Sequence, residues 1–162
     1  MPRPLLLVPL LLLACGSDDG REKGTVVSVH DGDTVTLDDG RKIRYLGVDT
    51  PETDQDQCFA QEARKFNESL VLNREVTLEF DDGPAENNGR VLAYVWLSAG
   101  GADRLVSEEL LRQGYGKLCV IPPAQKYEDR LRTAQNQAKA SGAGVWSQCP
   151  DLGNASYCEI KN

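Results

Sequence analysis

The chain contains 162 residues, and its 25 acidic residues outnumber its 18 Lys and Arg to give a net charge of −7. Proteins that coat nucleic acid non-specifically usually carry an excess of basic residues, because their affinity comes from counterion release along the phosphate backbone. The acidic balance therefore argues against a pure nucleic-acid binding module. It argues less against an enzyme, which can concentrate its attraction for phosphate in a few arginines and a bound cation.

Residues 1–14 have the composition of an export signal. One cation, Arg3, precedes an apolar stretch at residues 5–13, which is shorter than the roughly 20 residues of a transmembrane helix. The sequence Leu12-Leu13-Ala14-Cys15 resembles a bacterial lipoprotein box, which predicts that Cys15 is acylated and becomes the mature N-terminus. The alternative is an ordinary signal that is cleaved nearby, with Cys15 lost or left free. Lipidation predicts an exported bacterial protein anchored to a membrane of the cell envelope, and the ordinary signal predicts a secreted one.

The rest of the chain is long enough for one domain with a single hydrophobic core. Residues 16–23 carry no apolar side chain, so residues 15–23 are predicted to form a flexible tether. The folded domain is predicted to span residues 24–147, and a disulfide-containing tail is predicted at 148–162. We expect the protein to be a monomer.

The first part of the domain has the pattern of a β-meander. Short runs rich in β-branched and apolar residues predict strands at 25–29, 34–37 and 42–48. Asp31-Gly32 and Asp39-Gly40 lie between these runs as turn signals.

The second part of the domain mixes helices and strands. Apolar residues spaced by three and four positions, and runs of alternating or continuous apolar residues, predict a helix at 59–70, strands at 75–80 and 91–97, and helices at 105–112 and 127–141. The second helix is followed by Gly114, a plausible C-terminal cap. Five strands with a helix after the third are typical of a five-stranded OB-fold barrel, so we predict a mixed α+β fold with this barrel and three helices.

Four cysteines follow Cys15, and an even count in an exported chain favours two disulfides. They are Cys58, Cys119, Cys149 and Cys158. Three pairings are possible, and we favour Cys58–Cys119 with Cys149–Cys158, because the latter two lie close together in a tail that contains Pro and Gly. A structural zinc site is a poor alternative, since the chain has one histidine and no Cys-x-x-Cys pair.

Acidic and guanidinium side chains are concentrated in three short runs. These are Asp31-Gly32-Asp33-Thr34, Arg44-Tyr45-Leu46-Gly47-Val48-Asp49-Thr50-Pro51-Glu52 and Asn88-Gly89-Arg90. Asp33, Asp49 and Glu52 offer hard oxygens to a divalent cation, and Arg44 and Arg90 offer planar sets of N–H donors to a phosphate. The combination predicts a metal-dependent phosphodiesterase.

Three of these residues also have a structural explanation. Asp31 is more simply explained as a hairpin-turn residue than as a site residue. Arg44 lies in an apolar strand, where a buried charge needs an anionic partner, and that partner could be a structural salt bridge rather than a substrate. Glu52 could be a solvated loop acid, although Pro51 fixes the backbone beside it.

These motifs, in this order and spacing, resemble those of the staphylococcal nuclease family over residues 24–146. The resemblance implies an endonuclease that hydrolyses DNA and RNA. It also implies a calcium ion held by the carboxylates of Asp33 and Asp49 and by the main-chain carbonyl of Thr50. Arg44 and Arg90 would then bind the phosphate, and Glu52 would act either as general base or as the residue that positions the attacking water.

Two non-catalytic functions are the alternatives. An OB-fold can be a nucleic-acid binding module, and an anchored lipoprotein can be a structural component of the envelope. A binder would be expected to have a degraded acid–arginine set and a basic groove, whereas this chain has the full set and an acidic composition.

Overall fold

The computed structural model describes residues 21–81, 85–87, 89–99, 102–120 and 126–150, with the backbone alone at 85, 87 and 99. The predicted signal, Cys15, the start of the predicted tether, Asn88 and most of the predicted tail lie outside the described residues. In chain order the elements are β1 (Arg21–Val29), β2 (Thr34–Leu37), β3 (Lys42–Tyr45), β4 (Gly47–Asp49), α1 (Ala60–Val71), β5 (Glu75–Glu79), β6 (Ala85–Asn87), β7 (Arg90–Ala99), β8 (Ala102–Leu105), α2 (Val106–Arg112), β9 (Lys117–Cys119), α3 (Glu128–Ser141) and α4 (Val145–Gln148).

Five strands form a closed barrel in the order β1, β2, β3, β7, β5. Neighbouring strands are antiparallel except β3 and β7, whose parallel pairing closes the ring. Aliphatic side chains with 1% exposure or less fill the core, among them Val26, Val35, Ile43, Leu78 and Val95. The predicted α+β fold with a five-stranded OB-type barrel is confirmed.

The third predicted strand is two strands. The chain bends after β3, because Gly47 has a φ of +85°, and β4 leaves the barrel to pair with β9. A Cβ at Gly47 would lie 2.2 Å from a methyl carbon of Leu131, so the bend is packed directly against α3. The run from Tyr45 to Val48 was predicted to be part of one strand because it is mostly apolar, although Gly47 interrupts it.

The predicted tether is wrong at its C-terminal end. Residues 21–23 form the start of β1 and pair with residues 77–79 of β5. Arg21 forms a salt bridge of 3.2 Å with Glu79 there. The polar composition of residues 21–23 is typical of a linker. A strand segment with largely exposed side chains needs no apolar residue, so composition could not reveal this strand.

The three predicted helices are confirmed, and the described residues contain a fourth, the short α4. Gly114 follows α2 with a φ of +75°, as expected of a C-terminal cap, and its carbonyl accepts a hydrogen bond of 2.9 Å from the amide of Val145 at the start of α4. Trp96 on β7 belongs to the core and is 5% exposed. Among the described helices, none combines the length and apolar composition needed to cross a membrane.

The predicted disulfide pairing is wrong. Cys58 is joined to Cys149, which excludes both Cys58–Cys119 and Cys149–Cys158. Cys119 is also disulfide-bonded, and Cys158 lies outside the described residues. The prediction failed because it favoured neighbours in sequence, whereas α4 folds back against the start of α1 across 91 positions of the chain. In the chain-entropy model, closing so long a loop stabilises the fold by about 4–5 kcal/mol.

Gly114 and Gly40 form a matched pair for testing the packing between α2 and α4. Both have a left-handed φ, but a Cβ at Gly114 would lie 2.2 Å from the carbonyl oxygen of Ala143, whereas a Cβ at Gly40 would meet nothing within 4 Å. We expect Gly40→Ala to lower the free energy of unfolding by about 1–2 kcal/mol through backbone strain alone. Gly114→Ala should lower it by about 1–3 kcal/mol more. Urea denaturation measures both, and equal losses would contradict the tight contact.

Candidate active site

The loop between β1 and β2 brings Asp31 and Asp33 to one end of the barrel. The Asp31 carboxylate accepts a hydrogen bond of 2.9 Å from the amide of Asp33, which is the structural role predicted for it. A Cβ at Gly32 would lie 2.6–2.7 Å from side-chain atoms of Thr50. Glycine therefore allows this loop to lie directly against the segment that follows β4.

Arg44 lies at the centre of a buried charge cluster. Its side chain extends from β3 and forms salt bridges with both Asp33 and Asp49. Its Nη1 also donates a hydrogen bond of 3.2 Å to the carbonyl oxygen of Val48. The expected anionic partners of Arg44 are thus two of the residues predicted as metal ligands.

Asp33 is held in a fixed orientation by its neighbours. Its Oδ2 accepts hydrogen bonds from the amide of Thr50 at 2.7 Å and from the Thr50 hydroxyl at 3.0 Å. Its Oδ1 accepts one of 3.1 Å from the hydroxyl of Thr34. The structure therefore brings together Asp33, Arg44, Asp49 and Thr50, as the sequence predicted.

The cluster contains more carboxyl groups than guanidinium groups. Burial and the neighbouring charge of Asp33 raise the pKa of Asp31 to about 8. Burial raises the pKa of Asp49 to about 7, although Arg44 opposes the shift. One guanidinium faces three carboxylates, so the site favours a further cation.

The donor set fits a hard divalent cation. Asp33 and Asp49 offer carboxylate oxygens, and Thr50 offers a carbonyl, which are ligand types that calcium and magnesium prefer. Within the described ranges, no three His, Cys, Asp or Glu side chains form a group that could hold a metal ion. The predicted site needs only two carboxylates, so it fits the residues present.

Glu52 and Arg90 both line an open cleft beside this cluster. The cleft has a volume of about 380 Å³ and is lined by His30, Asp31, Thr34, Lys42, Glu52, Thr53, Asp54 and Arg90. Thr34 pairs with Arg44 across the β2–β3 ladder, so the buried cluster adjoins the cleft. Glu52 is half-buried and faces the cleft rather than being a fully solvated loop acid.

The loop that carries Glu52 is held by Gln57. The amide of Glu52 donates a hydrogen bond of 2.9 Å to the Gln57 side chain, and the amide of Gln57 returns one of 3.3 Å to the Glu52 carbonyl. The next residue, Cys58, is joined to Cys149. The short loop is therefore closed on itself and fixed to the C-terminal part of the fold.

Asn67 supports the site, and the sequence analysis missed it. It is fully buried on α1, donates a hydrogen bond of 3.1 Å to the carbonyl oxygen of Asp31 and accepts one of 3.1 Å from the Tyr45 hydroxyl. A polar residue on the apolar face of a helix was the available signal, because buried polar groups are almost always paired.

Replacement of Asn67 tests this support. Asn67→Ala removes both hydrogen bonds and should lower the free energy of unfolding by about 2–3 kcal/mol. It should also speed amide hydrogen exchange at residues 31–33, because the Asp31 carbonyl loses its partner. Tyr45→Phe is the matched control, since it removes one bond and leaves the Asp31 contact intact. Hydrogen-exchange mass spectrometry compares the two, and equal exchange rates would contradict the role of Asn67.

Comparison with known proteins gives a consistent set of matches. A family model described as staphylococcal nuclease homologue matches residues 42–148. The thermonuclease of Staphylococcus hyicus is 36% identical over 129 residues, which cover 75% of this chain and 74% of the relative. The thermonuclease of Staphylococcus intermedius is 34% identical over 134 residues, or 78% and 77% of the two chains. Endonuclease YncB of Bacillus subtilis is 35% identical over 136 residues, which cover 78% of this chain and 63% of the relative.

Proposed function

Because this chain belongs to the staphylococcal nuclease family, we propose that it is an exported, calcium-dependent endonuclease acting on DNA and RNA. The coarser assignment, a nuclease that hydrolyses phosphodiester bonds, follows from the family itself. One observation supports the more specific proposal of a metal-dependent active site. A buried cluster of Asp33, Arg44 and Asp49 adjoins a cleft that is lined by Glu52 and Arg90.

Asp33, Asp49 and the main-chain carbonyl of Thr50 would hold the calcium ion. When bound, the ion supplies positive charge that polarises the phosphate and stabilises the developing charge of the transition state. The family resemblance, rather than the number of ligands, favours calcium over magnesium.

Arg44 and Arg90 would bind the phosphate. Attack on a phosphodiester crowds negative charge onto its equatorial oxygens, so groups that bind the transition state more tightly than the substrate must be cationic and fixed. Arg44 meets the second requirement, because two carboxylates and the Val48 carbonyl restrain its guanidinium. Arginine also stays charged and can bond to two oxygens at once, which lysine cannot do.

Glu52 would act on the attacking water. As a general base it would take a proton from the water while the oxygen attacks phosphorus, and in the alternative role it would only orient the water. Gln57 holds the Glu52 backbone on both sides. This restraint supports either role, since both require a carboxylate aimed into the cleft.

The proposed location rests on the N-terminal sequence alone. The apolar stretch and the segment Leu12-Leu13-Ala14-Cys15 support export and lipidation of Cys15. Two acyl chains would give stable membrane attachment, whereas one chain would give marginal binding.

Metal dependence is the first prediction. The purified protein should cleave single-stranded DNA and RNA in the presence of calcium and should stop when calcium is chelated, because the phosphate charge is then no longer neutralised. Calorimetric titration with calcium should give a binding signal that Asp49→Asn reduces. Undiminished cleavage in chelator would refute the metal assignment.

The two arginines are predicted to act on the transition state. Arg44→Lys and Arg90→Lys should each lower kcat by on the order of 100-fold, because a bidentate donor to developing charge is lost. Arg41→Lys is the control, since Arg41 pairs with Asp39 and Glu22 at the β2–β3 turn. Steady-state kinetics measures kcat and KM for each variant, and circular dichroism checks that the variants are folded. An effect confined to KM would contradict a role in the transition state.

Membrane attachment should depend on Cys15. In a bacterium that processes lipoproteins, Cys15→Ser should leave the membrane fraction or remain as unprocessed precursor, and it should lack the mass of the acyl groups. Fractionation and mass spectrometry measure both. A wild-type protein that is fully soluble after export would contradict the lipid anchor.

A further inference from the structure

Three polar side chains, those of Thr36, Lys42 and His30, lie beside the buried cluster. Thr36 and Lys42 form the next cross-strand pair on the same face of the β2–β3 ladder. Thr36 pairs with Lys42, just as Thr34 pairs with Arg44 two residues away. The Oγ1 of Thr36 lies 2.8 Å from the Nε2 of His30. Residues two apart on a strand share a face, so Lys42 and Arg44 extend from the same face of β3 with their Cα atoms about 7 Å apart.

Two of these three side chains line the same cleft as the proposed catalytic groups, and Thr36 adjoins it through its contact with His30. His30 and Lys42 line the cleft together with Glu52 and Arg90. Both His30 and Lys42 are exposed, so a ligand in the cleft can reach them. The cleft therefore extends from the proposed catalytic groups along the β2–β3 face.

The cleft lining contains the cations Lys42 and Arg90 together with the carboxyl groups of Asp31, Glu52 and Asp54. In the part of the chain that the structure describes, Lys42 forms no salt bridge, whereas the nearby Arg64 is paired with Glu68 at 3.1 Å. Partial desolvation of the imidazole and the charges of Lys42 and Arg64 lower the pKa of His30. At neutral pH this end of the cleft therefore presents one unneutralised ammonium beside a hydroxyl and a neutral imidazole, which are groups that suit an anion.

We propose that Lys42, Thr36 and His30 form a second phosphate subsite, which binds the phosphodiester next to the scissile one on a single-stranded polynucleotide. The proposal rests on the proposed nuclease function, because it extends the same cleft. Lys42 supplies the charge, and Thr36 and His30 supply neutral hydrogen-bonding groups. A substrate with only one phosphodiester cannot occupy this subsite and the catalytic site together.

Substrate length separates the subsite from the catalytic groups. Steady-state kinetics would compare a dinucleotide with an octathymidylate for the wild type and for Lys42→Gln. We expect the substitution to raise KM on the octathymidylate by about 5- to 10-fold more than on the dinucleotide, because a charge-assisted phosphate contact is lost. Lys23→Gln is the matched control, since it removes the same charge from an exposed residue that pairs with Glu75 and does not line the cleft.

Equilibrium binding tests the subsite without cleavage. A fluorescein-labelled octathymidylate would be titrated in chelator at several salt concentrations and followed by fluorescence anisotropy. Lys42→Gln should weaken binding and reduce the slope of log K against log salt by about 0.7, the value for one phosphate contact on a single strand. Lys23→Gln should leave the slope unchanged.

The two assays distinguish failure of the subsite from failure of the nuclease function. Cleavage by the wild type with equal effects of Lys42→Gln and Lys23→Gln would overturn the subsite and leave the nuclease function intact. Absence of cleavage, with Lys42-dependent binding of the octathymidylate, would overturn the nuclease function and leave the subsite intact. No measurable binding by the wild type would overturn the subsite.

Discussion

The buried guanidinium of Arg44 needs anionic partners, and the rest of the site is arranged to supply them. Its exposure is 8%, and an unpaired cation at such a position would be strongly destabilising. Asp33 reaches it from the β1–β2 loop, and Asp49 reaches it from β4. Asp49 can do so because the chain bends at Gly47, where the left-handed backbone requires glycine. The division of one apolar run into β3 and β4 thus places a second carboxylate beside the arginine.

The excess of carboxyl groups in this cluster follows from the same arrangement. Asp31 adds a third carboxylate, and the raised pKa values of Asp31 and Asp49 express the electrostatic cost of burying more negative than positive charge. The surrounding structure resists relaxation, because Asn67 holds the Asp31 carbonyl and Thr50 holds the Asp33 carboxylate. A divalent cation would offset this cost, which gives the proposed metal site a physical basis independent of family resemblance.

Local patterns in the sequence predicted the barrel strands, three of the helices and the proximity of Asp33, Arg44, Asp49 and Thr50. These depend on periodicity, turn signals and the chemistry of residues close together in the chain. The features that the sequence analysis did not predict depend on contacts between residues that are far apart in the sequence. The Cys58–Cys149 bridge, the pairing of residues 21–23 with β5 and the contact of Asn67 with Asp31 join segments that no local pattern relates. The bend at Gly47 is the exception, because a glycine inside an apolar run was visible in the sequence.

The distribution of charge reconciles an acidic chain with a polyanionic substrate. The charge of Arg44 is balanced inside the cluster, so further attraction for a nucleic-acid strand would have to come from other cations close to the bound strand. Exposed charges are screened beyond about 10 Å at 0.1 M salt, and the acidic residues elsewhere on the surface therefore oppose binding weakly once the strand lies in the cleft. Arg90 and Lys42, which both line the cleft, act within that range. On the proposed function, the position of a cation within a screening length of the bound strand matters more for binding than the net charge of the chain.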